Sequence, residues 1–594
     1  MATGLSVAAR VAVIGVVALA APAATARSVP GSARAPESTA ALVAVQDGAQ
    51  HAAHLPALYR SAAEVPGVTT VTPHRPLPSA TATGTASPTA AAVTATTPPT
   101  ETACPVTPTA DPGTPPAVRC DSVPTFADGL RPEREIHVAP DGDDAGGDGS
   151  PNRPFATIGR AARGAVAGTA VLVHAGTYPG GSYVEGLRGA PGRPIWIAGA
   201  PGEARPVIAG GGEGLHLVRP AYVVVEHLEV RGSAANGINV DDGGDVADEA
   251  AAHHVVLRRI AVTDVGGSGN QDCLKLSGLR DFVVLDSTFA RCGGGGSGSG
   301  IDMVGAHRGV IARSRFEATS GNAVQAKGGS SDIEVRWNVM RDAGHRAVNM
   351  GGSTGWAYFR PPLRPDVPNA EARDIRVVAN VIEGSDTPFA FVGCVGCLAA
   401  HNTVVEPARW LLRILQESTS RDGMTFEPAR DGVVRSNLFV FRRERLSTSV
   451  NVGPGTAPDT FAFAHNLWFA LDDPRRSAPD LPAGETGAVV GRDPGLRPDR
   501  SIGPGSPAAG AGLSPAPIAG DAGGRCYADP PSIGAFEAAA SVLAGGEGCA
   551  ADPASTASES GSTARSRHAD DPSPRSQRPG GLGVVEPGGA WLEL

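Results

Sequence analysis

The sequence predicts an all-β fold, a right-handed parallel β-helix with three strands per coil. Three observations carry this reading. Between Gly237 and Asn349 one pattern recurs: Gly237-Ile238-Asn239-Val240, Cys273-Leu274-Lys275-Leu276, Gly300-Ile301-Asp302-Met303, Ala323-Val324-Gln325-Ala326 and Ala347-Val348-Asn349-Met350. Each copy reads small, apolar, polar, apolar, the period-2 signature of a half-buried strand. A second column keeps step with the first: Ile260, Ser287, Ser314, Asn338, Asn380, Asn402, Asn437 and Asn466. Stacked Asn side chains can hydrogen-bond from one coil to the next. The shortest spacing, Asp302 to Gln325, is 23 residues, and no amphipathic helix separates the strands. Short strands at such a period make a solenoid, and parallel crossovers are right-handed.

Composition agrees. The 594 residues include 78 Gly and 52 Pro, with aromatics at 5%, which favours turns and short strands over a helical bundle. A formal net charge of −10 gives no electrostatic reason to expect nucleic acid as a partner. Of the 50 basic residues two are lysines, Lys275 and Lys327, and both fall in the central repeat. An ammonium can lose its proton when desolvated, whereas a guanidinium effectively cannot, so a lysine kept among arginines marks a candidate catalytic amine.

In chain order, residues 1–26 read as a secretory signal, with an apolar stretch and the small-x-small site Ala24-Thr25-Ala26. Residues 27–130, rich in Ala, Thr and Pro, read as a disordered linker. The β-helix domain spans 131–551, with an N-terminal cap and a closing segment, and 552–594 is a disordered tail. Inside the cap, Ile136-His137-Val138 is a strand, Pro154 to Ile158 leads into a short helix through Ala165, and Val171-Leu172-Val173 follows. Coils are expected from about residue 205 to 469. The protein is expected to be secreted or held at the cell surface, monomeric, with no transmembrane segment after signal removal. Eight cysteines in an exported chain imply disulfides. The expected pairs are Cys273 with Cys292, Cys394 with Cys397, Cys526 with Cys549, and Cys104 with Cys120.

Strand alternation sorts the side chains. The polar column His216, Asn239, Lys275, Asp302, Gln325, Asn349 faces outwards, with Lys327 two residues along its own strand. Successive members stand about 4.8 Å apart, so Lys275, Asp302, Gln325 and Lys327 share one patch. Asp302 between two amines is expected to stay ionised. Insertions at 241–254, 351–372 and 416–430 leave just after this strand and wall the patch into a groove. The second carries Trp356, Tyr358, Phe359 and Arg360, which suit a sugar ring and its carboxylate.

The cap and the closing Ser532-Ile533-Gly534-Ala535-Phe536-Glu537 resemble those of bacterial β-helix proteins of pectate-lyase-like fold, in particular the chondroitinase B-like and alginate lyases. Those enzymes carry a catalytic Lys on one coil and an Arg beside a His about one coil later. Lys327 and then His345-Arg346 stand in comparable places. The resemblance implies β-elimination on an acidic, uronate polysaccharide. Lys327 is then the base, Arg346 the carboxylate clamp and His345 the proton donor, with Lys275 and Asp302 in the same catalytic group. Gln325, Asn349, Asn239, Trp356, Tyr358 and Arg360 are the expected substrate contacts. In that family, acidic residues shortly before the Lys hold a calcium ion. Those positions here are Asn322 and Gln325, which leaves Asp241, Asp242 and Asp245 as the candidate Ca2+ ligands. Two alternatives stay open: a glycoside hydrolase using Asp302 with Asp272 or Asp241, and a non-catalytic glycan-binding solenoid, because fold alone does not choose.

Overall fold

The computed structural model describes residues 119–538 except Ser268. The signal, most of the linker and the tail lie outside the described residues. Three parallel sheets form the barrel of a right-handed parallel β-helix. Among the described residues they hold 15, 10 and 12 strands. One coil shows the path. Ile301–Val304 lies in the second sheet, His307–Ala312 in the first and Arg315–Glu317 in the third, and Asn322–Lys327 returns to the second. Coils begin earlier than the sequence places them, with Ser182–Glu185 and Ile195–Gly199, and continue to Val489–Val490.

The repeat pattern has a packing cause. The inward positions stack into one apolar column per face, such as Ile238, Leu274, Ile301 and Val324, all buried. The small position precedes them, where the chain turns tightly inwards. A Cβ on Gly237 would lie 2.4 Å from Val262 Cγ1 and 2.6 Å from the Cys273 carbonyl oxygen. Only a residue without a bulky side chain fits there.

The asparagine column occupies the corner between the first and third sheets. The residue just before each member (Asp286, Arg313, Trp337, Ala379, His401) is left-handed, with φ from 48° to 59°. Such corners cost roughly 1–2 kcal/mol each in a non-glycine residue. The ladder offsets this. Asn380 Oδ1 accepts from the Asn338 backbone N–H at 3.0 Å, Asn402 Oδ1 from Asn380 at 3.0 Å, and Asn437 Oδ1 from Asn402 at 3.0 Å. Ser314 and Ser287 carry it towards the N-terminus, and Glu485 accepts from Asn466 at 3.1 Å and ends it. All five predicted asparagines lie in one column.

The cap holds its expected elements, with the helix three residues shorter than expected: Arg134–Val138, the helix Ile158–Ala162 with Thr157 accepting from the Arg160 N–H at 3.2 Å, and Thr169–Val173. The linker boundary needs correction. Residues 119–130 pack on the outer face of the first sheet, where Val123 shares an apolar cluster with Leu285 and Trp337, and Ala127 shares another with Leu172, Trp196 and Val224. The closing segment joins them, with Trp337 Nε1 donating to the Gly520 carbonyl at 2.9 Å. Two disulfides follow expectation, Cys273–Cys292 and Cys394–Cys397. The other two do not: Cys120 pairs with Cys526 across 406 residues, so neither can bond Cys104 or Cys549.

Candidate functional site

The outward column of the second sheet is continuous: Tyr183, His216, Asn239, Lys275, Asp302, Gln325, Asn349, Ala390, Arg413 and Asn451 occupy one register position. Lys327 lies one coil on from Val304, two residues along its strand. The four predicted residues therefore lie side by side, but Asp302, Gln325 and Lys327 are buried and not open to solvent as expected, and their centre is an ion cluster. Lys275 Nζ donates to Asp302 Oδ2 and, at 3.3 Å, to Asp272 Oδ2. Lys327 Nζ stands 3.5 Å from the same Asp302 oxygen and 3.4 Å from Gln325 Oε1. The carboxylates lie beneath the amines: Asp272 and Asp302 side chains are 1% exposed, Lys275 16% and Lys327 11%.

Burial by itself would lower the Lys275 ammonium, but the Asp302 and Asp272 charges overcome it and raise it above its ordinary value. Burial would raise Asp302, yet Lys275 and Lys327 together hold it below the usual carboxylate range, so it stays ionised as expected. Burial pushes Asp272 up to about 6, against the pull of Lys275. Lys275 is thus a fixed cation, and its desolvation does not make it a base.

A second polar row, absent from the alternation argument, bends onto this column from three residues upstream. Asp272 meets Lys275; Asn322 Nδ2 donates to Gln325 Oε1 at 3.3 Å; Arg346 Nη1 donates to Asn349 Oδ1 at 3.3 Å. Glu213 meets His216 Nδ1 at 2.8 Å, while Asp241 takes His216 Nε2 at 2.6 Å. Burial would lower His216, but hydrogen bonds to Asp241 and Glu213 carry it up to about 9. The signal was present as a polar residue three before each column member from His216 to Ala390. Strand alternation hides it because it sits in the turn, or on the first strand residue.

Other predicted residues divide. Arg346 lies on the face, held by Glu417 at 2.6 Å, and the sequence reading missed that partner. His345 is 75% exposed and pairs with Asp386 at 2.8 Å. Asn239 donates to Glu213 at 3.2 Å, and Asn349 is buried. Asp302 Oδ1, Asn239 Oδ1 and Asn349 Nδ2 are buried atoms with no protein hydrogen-bond partner.

The wall is built differently from the expectation. Arg360 is buried and grips Asp242 through Nε at 2.6 Å and Nη2 at 2.9 Å, tying the 351–372 loop to the 241–254 loop. The pair with Asp242 occupies the Nε and Nη2 donors that the expected substrate contact would use. Trp356 packs near Phe426, with Arg421 over its ring at 4.8 Å, and Tyr358 is 53% exposed. Buried Glu371 braces the wall against Lys327: it accepts from the Gly328 N–H at 2.9 Å, the Thr354 N–H at 2.9 Å and the Ser418 hydroxyl. Gly352 runs so close that a Cβ there would lie 2.7 Å from Gln325 Nε2 and 3.5 Å from Lys327 Cβ.

The calcium ligands are corrected as well. Asp242 is committed to Arg360 and the Gly244 N–H, and Asp241 to His216 and the Gly243 N–H. Among the described residues no three His, Cys, Asp or Glu side chains are grouped to hold a metal. Asp241, Asp242 and Asp245 do not fit a calcium ion. Among the described residues no helix is long and apolar enough to cross a membrane.

Solved structures resemble the chain at low identity. The pectate lyase Pel9A is 17% identical, covering 69% of this chain and 98% of its own, with a TM-score of 0.46. An alginate lyase from Paenibacillus sp. str. FPU-7 is 16% identical, covering 55% and 99%, at 0.37. A lacto-N-biosidase from Eubacterium ramulus is 13% identical, covering 60% and 68%, at 0.35. No family model matches the chain, and no curated protein matches it. The fold rests on the sheet topology, and the chemistry has to be argued from the site.

Proposed function

We propose that this exported β-helix protein binds an acidic polysaccharide along its second sheet and cleaves it by β-elimination, with Lys327 taking the proton. The observation that carries the reading is the unequal hold on the two amines. Lys275 is locked between two carboxylates. Lys327 has one, at 3.5 Å, and leans on a neutral amide. Elimination removes the proton on the carbon beside the uronate carboxylate. The C–H electron pair becomes the new double bond as the neighbouring C–O bond breaks, and the leaving oxygen takes a proton from solvent. Arg346, one coil on and fixed by Glu417, supplies positive charge to the enolate-like transition state. His345 has no part in this scheme, and no step runs through calcium.

The hydrolytic alternative fits less well. It needs two carboxyl groups reaching the glycosidic bond, and Asp272 and Asp302 lie covered by the lysines, while Asp241 is bound to His216. The test is a panel of uronate polymers incubated with purified protein, following absorbance of the unsaturated product. Lys327→Ala should lower the rate by about 10²- to 10⁴-fold with the fold intact. Lys327→Arg should fail equally, because guanidinium keeps its proton. Reducing sugar released from a neutral glycan, without unsaturated ends from any uronate, sinks the elimination in favour of hydrolysis. Retention of a glycan with no cleavage of any kind leaves a binding module.

A further inference from the structure

Past Gln325 the outward column runs through Asn349 and Ala390 to Arg413, three coil steps on, or about 14 Å at about 4.8 Å per step. Arg413 is partly buried. Its Nε donates to Asn451 Oδ1 at 3.0 Å, and its guanidinium lies over the Trp410 ring, 4.4 Å from the centroid. Arg409 lies 4.2 Å from the same ring. Among the described residues neither guanidinium has a carboxylate within ion-pair distance. Glu417, the nearby acid, is held by Arg346. Among the described residues neither Nη group of Arg413 has a hydrogen-bond acceptor. Burial, and then the neighbouring Arg346 charge, lowers Arg413 to about 10, as expected for a cation that lacks a counter-charge.

A half-buried guanidinium with an open fork, stacked on tryptophan and aligned with the ion cluster, is built to receive a planar oxyanion. We propose that Arg413, with Arg409 and Trp410, is a carboxylate-binding subsite that holds the acidic polysaccharide several sugars away from Lys327. The proposal rests on the reading that the second sheet takes an acidic polysaccharide, and does not require that the polymer be cleaved.

The experiment measures binding of carboxylated, sulfated and neutral oligosaccharides to the full chain by calorimetry, alongside turnover. Arg413→Gln should weaken carboxylated oligomers about tenfold or more, and raise KM with kcat unchanged. Arg413→Lys should recover part of the affinity, since it restores charge without the fork. Exposed Arg409→Gln serves as a second variant, with a smaller loss in the same direction. Unchanged binding and KM in both glutamine variants overturn the subsite, even if the wild type cleaves uronates. Weakened binding with no unsaturated product from the wild type keeps the subsite and sinks the elimination. A wild type that binds only sulfated oligomers, or none, overturns the carboxylate assignment.

Discussion

Removing each lysine in turn separates the amine that holds the fold from the one assigned to chemistry. Lys275→Met takes the ion-pair partner from Asp272, which keeps only the Ser299 N–H at 2.7 Å, and leaves Asp302 with only the 3.5 Å contact to Lys327. Breaking a buried ion pair from one side costs roughly 3–5 kcal/mol. Lys327→Met leaves Asp302 bonded to Lys275, and should cost less than Lys275→Met does. The assay is urea unfolding followed by circular dichroism, paired with unsaturated-product absorbance on the same preparations. Lys275→Met should shift the midpoint strongly, and Lys327→Met should shift it less while losing turnover. Adding Asp302→Asn to Lys275→Met should recover part of the loss, because one stranded charge is gone. Equal destabilisation by the two methionine variants would refute the reasoning, since it would mean that both amines are structural.

Further outcomes follow from the same geometry. Asn380→Leu should destabilise by about 1–3 kcal/mol, because it orphans the buried Asn338 N–H and interrupts the side-chain ladder; a loss under about 0.5 kcal/mol would remove the ladder as a source of stability. His216 has its folded value raised to about 9. Its contribution is therefore complete below its unfolded value of about 6.5 and fades as pH rises through about 9. The wild-type minus His216→Gln stability difference should shrink between pH 7 and 10, and a flat difference contradicts the assignment. Arg360→Ala should cost about 3–5 kcal/mol by leaving Asp242 buried and unpaired. If it alters KM without touching stability, Arg360 contacts substrate after all.

The repeat was legible because a solenoid writes its geometry locally. Small-apolar-polar-apolar fixes which face each strand buries, and the Ser/Asn column fixes the corner, so the register of Lys275, Asp302, Gln325 and Lys327 followed from spacing alone. What spacing does not determine is which neighbour neutralises which charge. Asp272, Glu213 and Glu417 join the face from turns and from a distant loop, and no period-2 rule places them there. Arg360 looked like a substrate contact because it sits in a loop with aromatics. The fold turns it onto Asp242, 118 residues away in sequence.

The sequence by itself determined the barrel, its inward columns, the asparagine ladder and the patch, since each depends on residues within one coil or its neighbour. Tertiary structure decided the rest. The Cys120–Cys526 bond, the covering of the first sheet by residues 119–130 and the knitting of the loop wall all join segments far apart in the chain. It also decided that Lys275 is locked and Lys327 less so. That difference comes from how many buried carboxylates each ammonium meets after the coils stack, a count fixed by the three-dimensional packing.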